Sequence, residues 1–246
     1  MIRLLSYNVH RCQGADRRLD VGRVAEVIAA ASPDIVALQE VDVGRARTGG
    51  VDQAHRLAQR LRMAFHFNAA MKVEEELYGE AILTALPERL VKAGPLPGYP
   101  RIPRLEPRGA LWVAIELAAG RELQVINTHL GLVPREQQLQ ARALVGPEWL
   151  ESPARRDPLL LVGDFNATSA TLAYRTLAAK LRDAHAPRPR GAPRVPTFPS
   201  TMPVLRIDHV FVSRGIRVLD LTAPADSLAR VASDHLPLVI DFELEA

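Results

Sequence analysis

Between Ala64 and Asn127 the chain carries strand-like apolar segments near Ala64–Asn68, Ala81–Leu86, Leu111–Leu117 and Leu123–Asn127, with no amphipathic helical stretch among them. A parallel neighbour needs a long crossover, usually a helix, so successive strands in this run pair antiparallel. One doubly wound parallel sheet does not accommodate such a run. The flanking sequence reads differently. Residues Ile2 to Val9 form a buried strand, Asp20 can N-cap a helix, and Val24, Val27, Ile28 and Ala31 give that helix one apolar stripe. Ser32-Pro33 ends it before a strand at Asp34–Gln39, and a second helix is expected across Gln53–Leu61. The later half repeats the scheme. It has helices near Arg135–Leu150 and Leu172–Leu181, and strands near Leu159–Val162, Ile207–Val212, Arg217–Leu221 and Leu236–Phe242. The fold class is therefore α/β, with two mixed β-sheets packed face to face and helices outside, in a single domain over residues 1–246.

At 246 residues and 48% hydrophobic, the chain can bury a substantial core. No apolar run approaches the ~18 residues of a membrane span, and the N-terminus lacks the graded regions of a secretory signal, so a cytoplasmic location and no integral membrane segment are expected. Cys12 is the only cysteine, which excludes an internal disulfide and a thiolate metal site. The net charge of +3 is a weak argument for nucleic acid, because only Lys72, Lys92 and Lys180 are lysines and an arginine bias can follow from GC-rich coding. Two proline-rich stretches, Pro95–Pro107 and Ala186–Pro203, read as loops. The strands on both sides of the second, and Thr197-Phe198-Pro199 within it, favour an ordered loop that contacts substrate.

Polar residues gather where the apolar strands stop. Asn8 and His10 follow the first strand, Gln39 and Glu40 the second, Asn127 and His129 the hairpin, Asp164 and Asn166 the next strand. Asp208, His209, Asp234 and His235 flank the last strands. One carboxylate at a strand end is usually a cap or turn former. A set of Asp, Glu and Asn with His and no Cys suits a hard cation, magnesium or manganese, better than zinc. Phosphate chemistry uses that set, because a metal neutralises phosphoryl charge, a carboxylate prepares water and a His stabilises the transition state.

Ser6-Tyr7-Asn8-Val9-His10, Ile35-Val36-Ala37-Leu38-Gln39-Glu40, Asn127-Thr128-His129-Leu130, Gly163-Asp164-Phe165-Asn166, Arg206-Ile207-Asp208-His209-Val210-Phe211 and Ser233-Asp234-His235-Leu236-Pro237 occur in that order. Together they resemble the motifs of the endonuclease/exonuclease/phosphatase superfamily, with its deoxyribonuclease I-like fold, along essentially the whole chain. The resemblance implies a four-layer α/β sandwich and a Mg2+- or Mn2+-dependent phosphoesterase. It implies Glu40, Asn8 and Asp234 on the metal, and Asp164 orienting or deprotonating water beside Asn166. It makes His235, supported by Asp208, and His129 the phosphate contacts. Arg108 matches a position that often faces phosphate, where a guanidinium can bind bidentately. Tyr78-Gly79-Glu80-Ala81-Ile82-Leu83 resembles a further segment that usually has Asn where this chain has Glu80, so the substrate geometry near Tyr78 is the point of departure. His129, and His10 in place of an acidic residue, resemble the sphingomyelinase-like and phosphatase branches more than the abasic-site endonucleases. The expected function is thus a phosphodiesterase or phosphatase using metal-activated water, without a covalent intermediate because no Ser or Cys nucleophile is placed for one. A DNA-directed nuclease is the alternative. A non-catalytic phospholigand-binding module comes third, since Glu40, Asp164, Asn166, Asp234 and His235 are all chemically competent. The partner is a phosphorylated substrate, and a monomer is expected.

Overall fold

The computed structural model describes residues 1–117, 120–185 and 195–245. The first strand, β1 (Ile2–Asn8), leads to helix α1 (Val21–Ala31), strand β2 (Ile35–Val43) and helix α2 (Gln53–Leu61). Both helices start where the sequence supplies a cap: Asp20 accepts from Arg23 N and Asp52 from His55 N. The helix-free run contains β3 (Ala64–Val73), β4 (Glu76–Thr84), β5 (Glu88–Pro95), β6 (Gly109–Glu116) and β7 (Glu122–His129). Then come α3 (Pro134–Val145), β8 (Leu159–Asp164), α4 (Leu172–Ala178), the short β9 (Arg182–Asp183), β10 (Asp208–Val212), β11 (Ile216–Thr222), α5 (Ala229–Ala232) and β12 (Leu238–Leu244).

The strands form two six-stranded mixed sheets, in the orders β11-β12-β1-β2-β4-β3 and β5-β6-β7-β8-β10-β9. Pairing within the run is antiparallel, but the chain changes sheets between β4 and β5, so β4 and β6 are not neighbours. Leu4, Ile35, Ile82, Leu111, Val125 and Val162 belong to the core between the sheets. A second core lies where α1 and α2 cover the first sheet through Val24, Ile28 and Leu57. A third lies where α3 and α4 cover the other sheet through Leu144 and Leu177. This is a four-layer α/β sandwich. Among the described residues no helix is long and apolar enough to cross a membrane.

Each sheet is built round one parallel pair, β1 with β2 and β7 with β8. Antiparallel neighbours flank each pair, β12 and β4 in the first sheet, β6 and β10 in the second. The carboxyl ends of the parallel strands and the amino ends of β6, β10 and β12 therefore meet on one rim. The two sheets are fixed to one another just beneath it by a buried amide pair. Gln39 Nε2 donates to Asn127 Oδ1 at 2.7 Å, and Asn127 Nδ2 donates to the carbonyls of Leu38 and Ala81 at 2.8 and 3.0 Å.

Candidate active site

The rim brings the sequence-selected residues together. Asn8 ends β1, His129 ends β7 opposite Asp164 at the end of β8, and Asp208 begins β10, also opposite Asp164. Glu40 sits in a register irregularity of β2, between Leu38 and Val41, in the left-handed region at φ 58°. Asn166 is left-handed at φ 48° just past β8, and His10, Arg11 and Cys12 form a left-handed run at φ 44°, 50° and 55° just past β1. Backbone strain of this kind, of order 1 kcal/mol or more per residue, persists where surrounding contacts over-determine it, and it clusters at functional sites. Glu40, Tyr78, Arg108 and His129 line a cavity of about 380 Å³ with Asp164, Asn166, Asp234 and His235, while Asn8 and Asp208 stand behind its wall. A larger cavity of about 1180 Å³, at the other ends of β8 and β10, contains none of them.

Asp164 is the hub. Its Oδ2 accepts from Asn8 Nδ2 at 2.9 Å and lies 3.5 Å from His129 Nε2 and 3.6 Å from His235 Nε2, while Oδ1 accepts from Asn166 N at 2.8 Å. Burial pushes its pKa up to about 7, with the His235 charge opposing and the Asp208 charge adding. His235 Nδ1 is held by Asp208 Oδ2 at 2.9 Å, and that same oxygen accepts from Thr197 Oγ1 at 2.5 Å. Burial alone would lower His235, but Asp208 and Asp164 outweigh it and raise the imidazolium to about 10. His129 goes the other way. Burial, then the Arg108 and His235 charges, hold it well below its ordinary range, and donors from Arg108 Nη1 at 3.2 Å and Asn166 Nδ2 at 3.0 Å face its two nitrogens. Two histidines that face the same carboxylate oxygen are thus pushed in opposite directions, His235 up and His129 down, the kind of divergence that can separate acid and base roles.

Arg108 is buried, with Nη1 near Tyr78 Oη at 3.4 Å and Glu106 Oε1 at 2.5 Å; its Nε has no partner among the described residues. Tyr78 and Glu80 alternate with Ile82 and so face the space between the sheets. Glu80 does not reach the cavity. It is 1% exposed, accepts from Asn68 Nδ2 at 2.9 Å, and burial pushes it up to about 7 against the pull of Asn68 and Arg108.

Asp164, Asp208 and His235 are close enough to share an ion, but His235 Nδ1 and Asp208 Oδ2 already hydrogen bond one another and Thr197 Oγ1 donates to that same oxygen. Glu40 and Asp234 fit a metal better. Both are partly exposed to the cavity; among the described residues the Glu40 carboxylate is hydrogen bonded only by Asn8 Nδ2, at 3.0 Å, and Asp234 Oδ1 has only Ser233 Oγ at 3.4 Å and His10 Nδ1 at 3.8 Å. Two under-compensated carboxylates in an oxygen-rich wall are the donor set of a hard divalent cation. Asn8 backs this wall from behind as the amide bridging Glu40 and Asp164, with its Oδ1 accepting from His10 N at 3.0 Å.

The sequence marked the proline-rich loop for substrate contact without giving its residues roles, and it missed other cavity residues altogether. Thr197 and Phe198 come from the proline-rich loop: Thr197 holds Asp208, and the Phe198 ring lies 4.9 Å from that of His235. Ser200 N and Leu236 N tie this loop to the β12 approach through Asp234 O and Thr197 O, at 2.7 and 2.8 Å. The earlier part of that loop, 186–194, lies outside the described residues. Arg11, Arg47 and Glu106 also line the cavity; the first two sit in single 3-10 turns, His10–Cys12 and Ala46–Thr48, and the third in a loop, all too short for periodicity to mark them.

The sequence profile described as the Endonuclease/Exonuclease/phosphatase family matches residues 5–235. The uncharacterized protein YbhP of Escherichia coli K12 is 27% identical over 252 residues, covering 98% of this chain and 96% of that one. An endonuclease/exonuclease/phosphatase crystal structure from Beutenbergia cavernae superposes with a TM-score of 0.81 at 25% identity, covering 100% of this chain and 72% of the other. A mannosyl-6-phosphatase from Bacteroides thetaiotaomicron gives a TM-score of 0.78 at 18% identity, covering 99% and 100%.

Proposed function

Because the chain belongs to the endonuclease/exonuclease/phosphatase family, whose members are hydrolases of phosphate esters, we propose that it is a Mg2+- or Mn2+-dependent phosphodiesterase or phosphatase using direct attack by water. The observation that carries this reading is Asp164, buried 3.5 and 3.6 Å from the two histidines, with Asp208 fixing one of them.

Glu40 and Asp234, with Asn8 holding Glu40, would seat the divalent cation, which when bound neutralises phosphoryl charge and lowers the pKa of water. Asp164, raised toward neutrality, orients the attacking water and takes its proton. The protonated His235 donates from Nε2 to a phosphoryl oxygen as charge builds on it. Asp208, with Thr197 on the same oxygen, keeps that ring oriented and charged. Neutral His129, Asn166 and the Arg108 guanidinium hold the remaining phosphoryl oxygens. The water oxygen bonds to phosphorus as the ester P–O bond breaks.

The test is chelator-sensitive hydrolysis of an aryl phosphodiester, an abasic-site duplex, a phospholipid diester and a sugar phosphate by the protein and its Asp164→Asn variant. Loss of about 10²- to 10⁴-fold in kcat in the folded variant is expected. Unchanged turnover would remove Asp164 from the mechanism.

A further inference from the structure

On the Glu40 side of the cavity the wall carries two arginines that the hydrolytic step does not use. Arg11 sits inside the left-handed run after β1, with Cys12 turned into the core. Its guanidinium bonds only the neutral side chain of Gln13, from Nε at 3.2 Å and Nη2 at 2.8 Å, so its charge faces the cavity with no carboxylate paired to it among the described residues. Arg47 is gripped along one edge by the buried Asp42, at 2.8 Å from Nε and 2.7 Å from Nη2, and its guanidinium carbon lies 5.3 Å from the centre of the Tyr78 ring. One buried side chain fixes the two segments to each other. Gln53 Nε2 donates to Arg11 O at 2.6 Å, and Gln53 Oε1 accepts from Asp42 N at 3.0 Å.

Among the described residues Arg11 has no acidic partner that would place it on the wall and the Asp42 pair leaves Arg47 Nη1 without a hydrogen bond, while the left-handed run costs folding energy that a solvated arginine would not need. Pre-positioned guanidiniums with free N–H groups are built for oxyanions. Arg108, which meets the Tyr78 hydroxyl while Arg47 lies over the ring, is assigned above to the phosphate being cleaved, so these two would meet a different anion.

We propose that Arg11 and Arg47 form a second anion subsite that receives a further phosphate group of the substrate, separate from the one hydrolysed. This rests on the reading that Arg108, His129 and His235 hold the reacting phosphate. The substrate class is an organic phosphate with at least two phosphate groups, either a free bisphosphate or a short nucleic-acid strand with a neighbouring phosphate. An aryl phosphodiester would then be a poor mimic of it.

The experiment is calorimetric binding with Mg2+ present, which reads the subsite without requiring turnover. Two matched pairs are titrated, fructose 6-phosphate against fructose 1,6-bisphosphate, and a dinucleotide without against with a 5′-phosphate. In the unaltered protein the added phosphate should tighten binding about tenfold in at least one pair, and the pair that responds identifies the source. That gain should fall to about twofold or less in Arg11→Gln and in Arg47→Gln. Arg11→Gln leaves only Gln13 short of a partner, so it decides the matter if loss of the Asp42 pair unfolds Arg47→Gln. Absence of a gain in both pairs, or a gain that persists in the folded variants, overturns the subsite. A gain lost in the variants alongside undetectable hydrolysis would refute the enzymatic reading and leave the subsite standing.

Discussion

At the scale of single residues the site is a problem of charge in a dry place. In the proposed mechanism Asp208 matters because His235 must stay protonated against its own burial. Asp208→Asn removes the larger of the two carboxylate influences, so the imidazolium loses its proton at lower pH and the alkaline limb of the rate profile moves down. Turnover near pH 9 should fall by about 10- to 100-fold while that near pH 6 falls less, measured as kcat across the range. Glu80 is the opposite case, a buried carboxyl raised to about 7. An acid whose folded pKa is raised stabilises fully below its unfolded pKa of about 4.3, and that contribution is lost as pH rises through 7. Glu80→Gln keeps an acceptor for Asn68 and should stabilise the protein above pH 7 by up to about 3 kcal/mol while changing it little near pH 4, read from urea midpoints. Most candidate site residues were legible because they stop apolar strands. The burial of Glu80 was not, since the sequence shows the substitution and conceals the Asn68 amide and the interior face that receives it.

At the scale of elements, close approach of β7 and β8 puts His129 beside Asp164. Gly163 sits at φ 142°, and a Cβ there would meet Thr128 O at 1.8 Å. Gly163→Ala must push the strands apart, so it should cost about 3 kcal/mol or more in a denaturant titration and abolish hydrolysis with it. Helices and central strands were readable from caps and apolar runs, and the Asp20 cap and the Gln53–Leu61 span occur as expected. Strand β5 was missed because it is an edge strand whose Arg89, Lys92 and Pro95 break the apolar pattern. The change of sheet after β4 was hidden for another reason. It depends on which faces meet across the sandwich, and local sequence does not encode that.

At the scale of the whole molecule, the site exists only while both sheets hold their relative position, since Glu40 and Asp234 approach from one sheet and His129 and Asp164 from the other. Cation binding should therefore stabilise the entire fold. Mg2+ at about 100 times its Kd would add ~2.7 kcal/mol, visible as a higher Tm, and Glu40→Ala should erase that increment without lowering the metal-free Tm by much. The pairing of β1 with β12, Ile2 opposite Phe242, has a consequence during translation. One edge of an early strand stays open on the ribosome until residues more than two hundred positions later emerge. His235 arrives with that same late stretch, so the nascent chain carries an unpaired strand edge and lacks a residue of the proposed mechanism until its last strand is inserted.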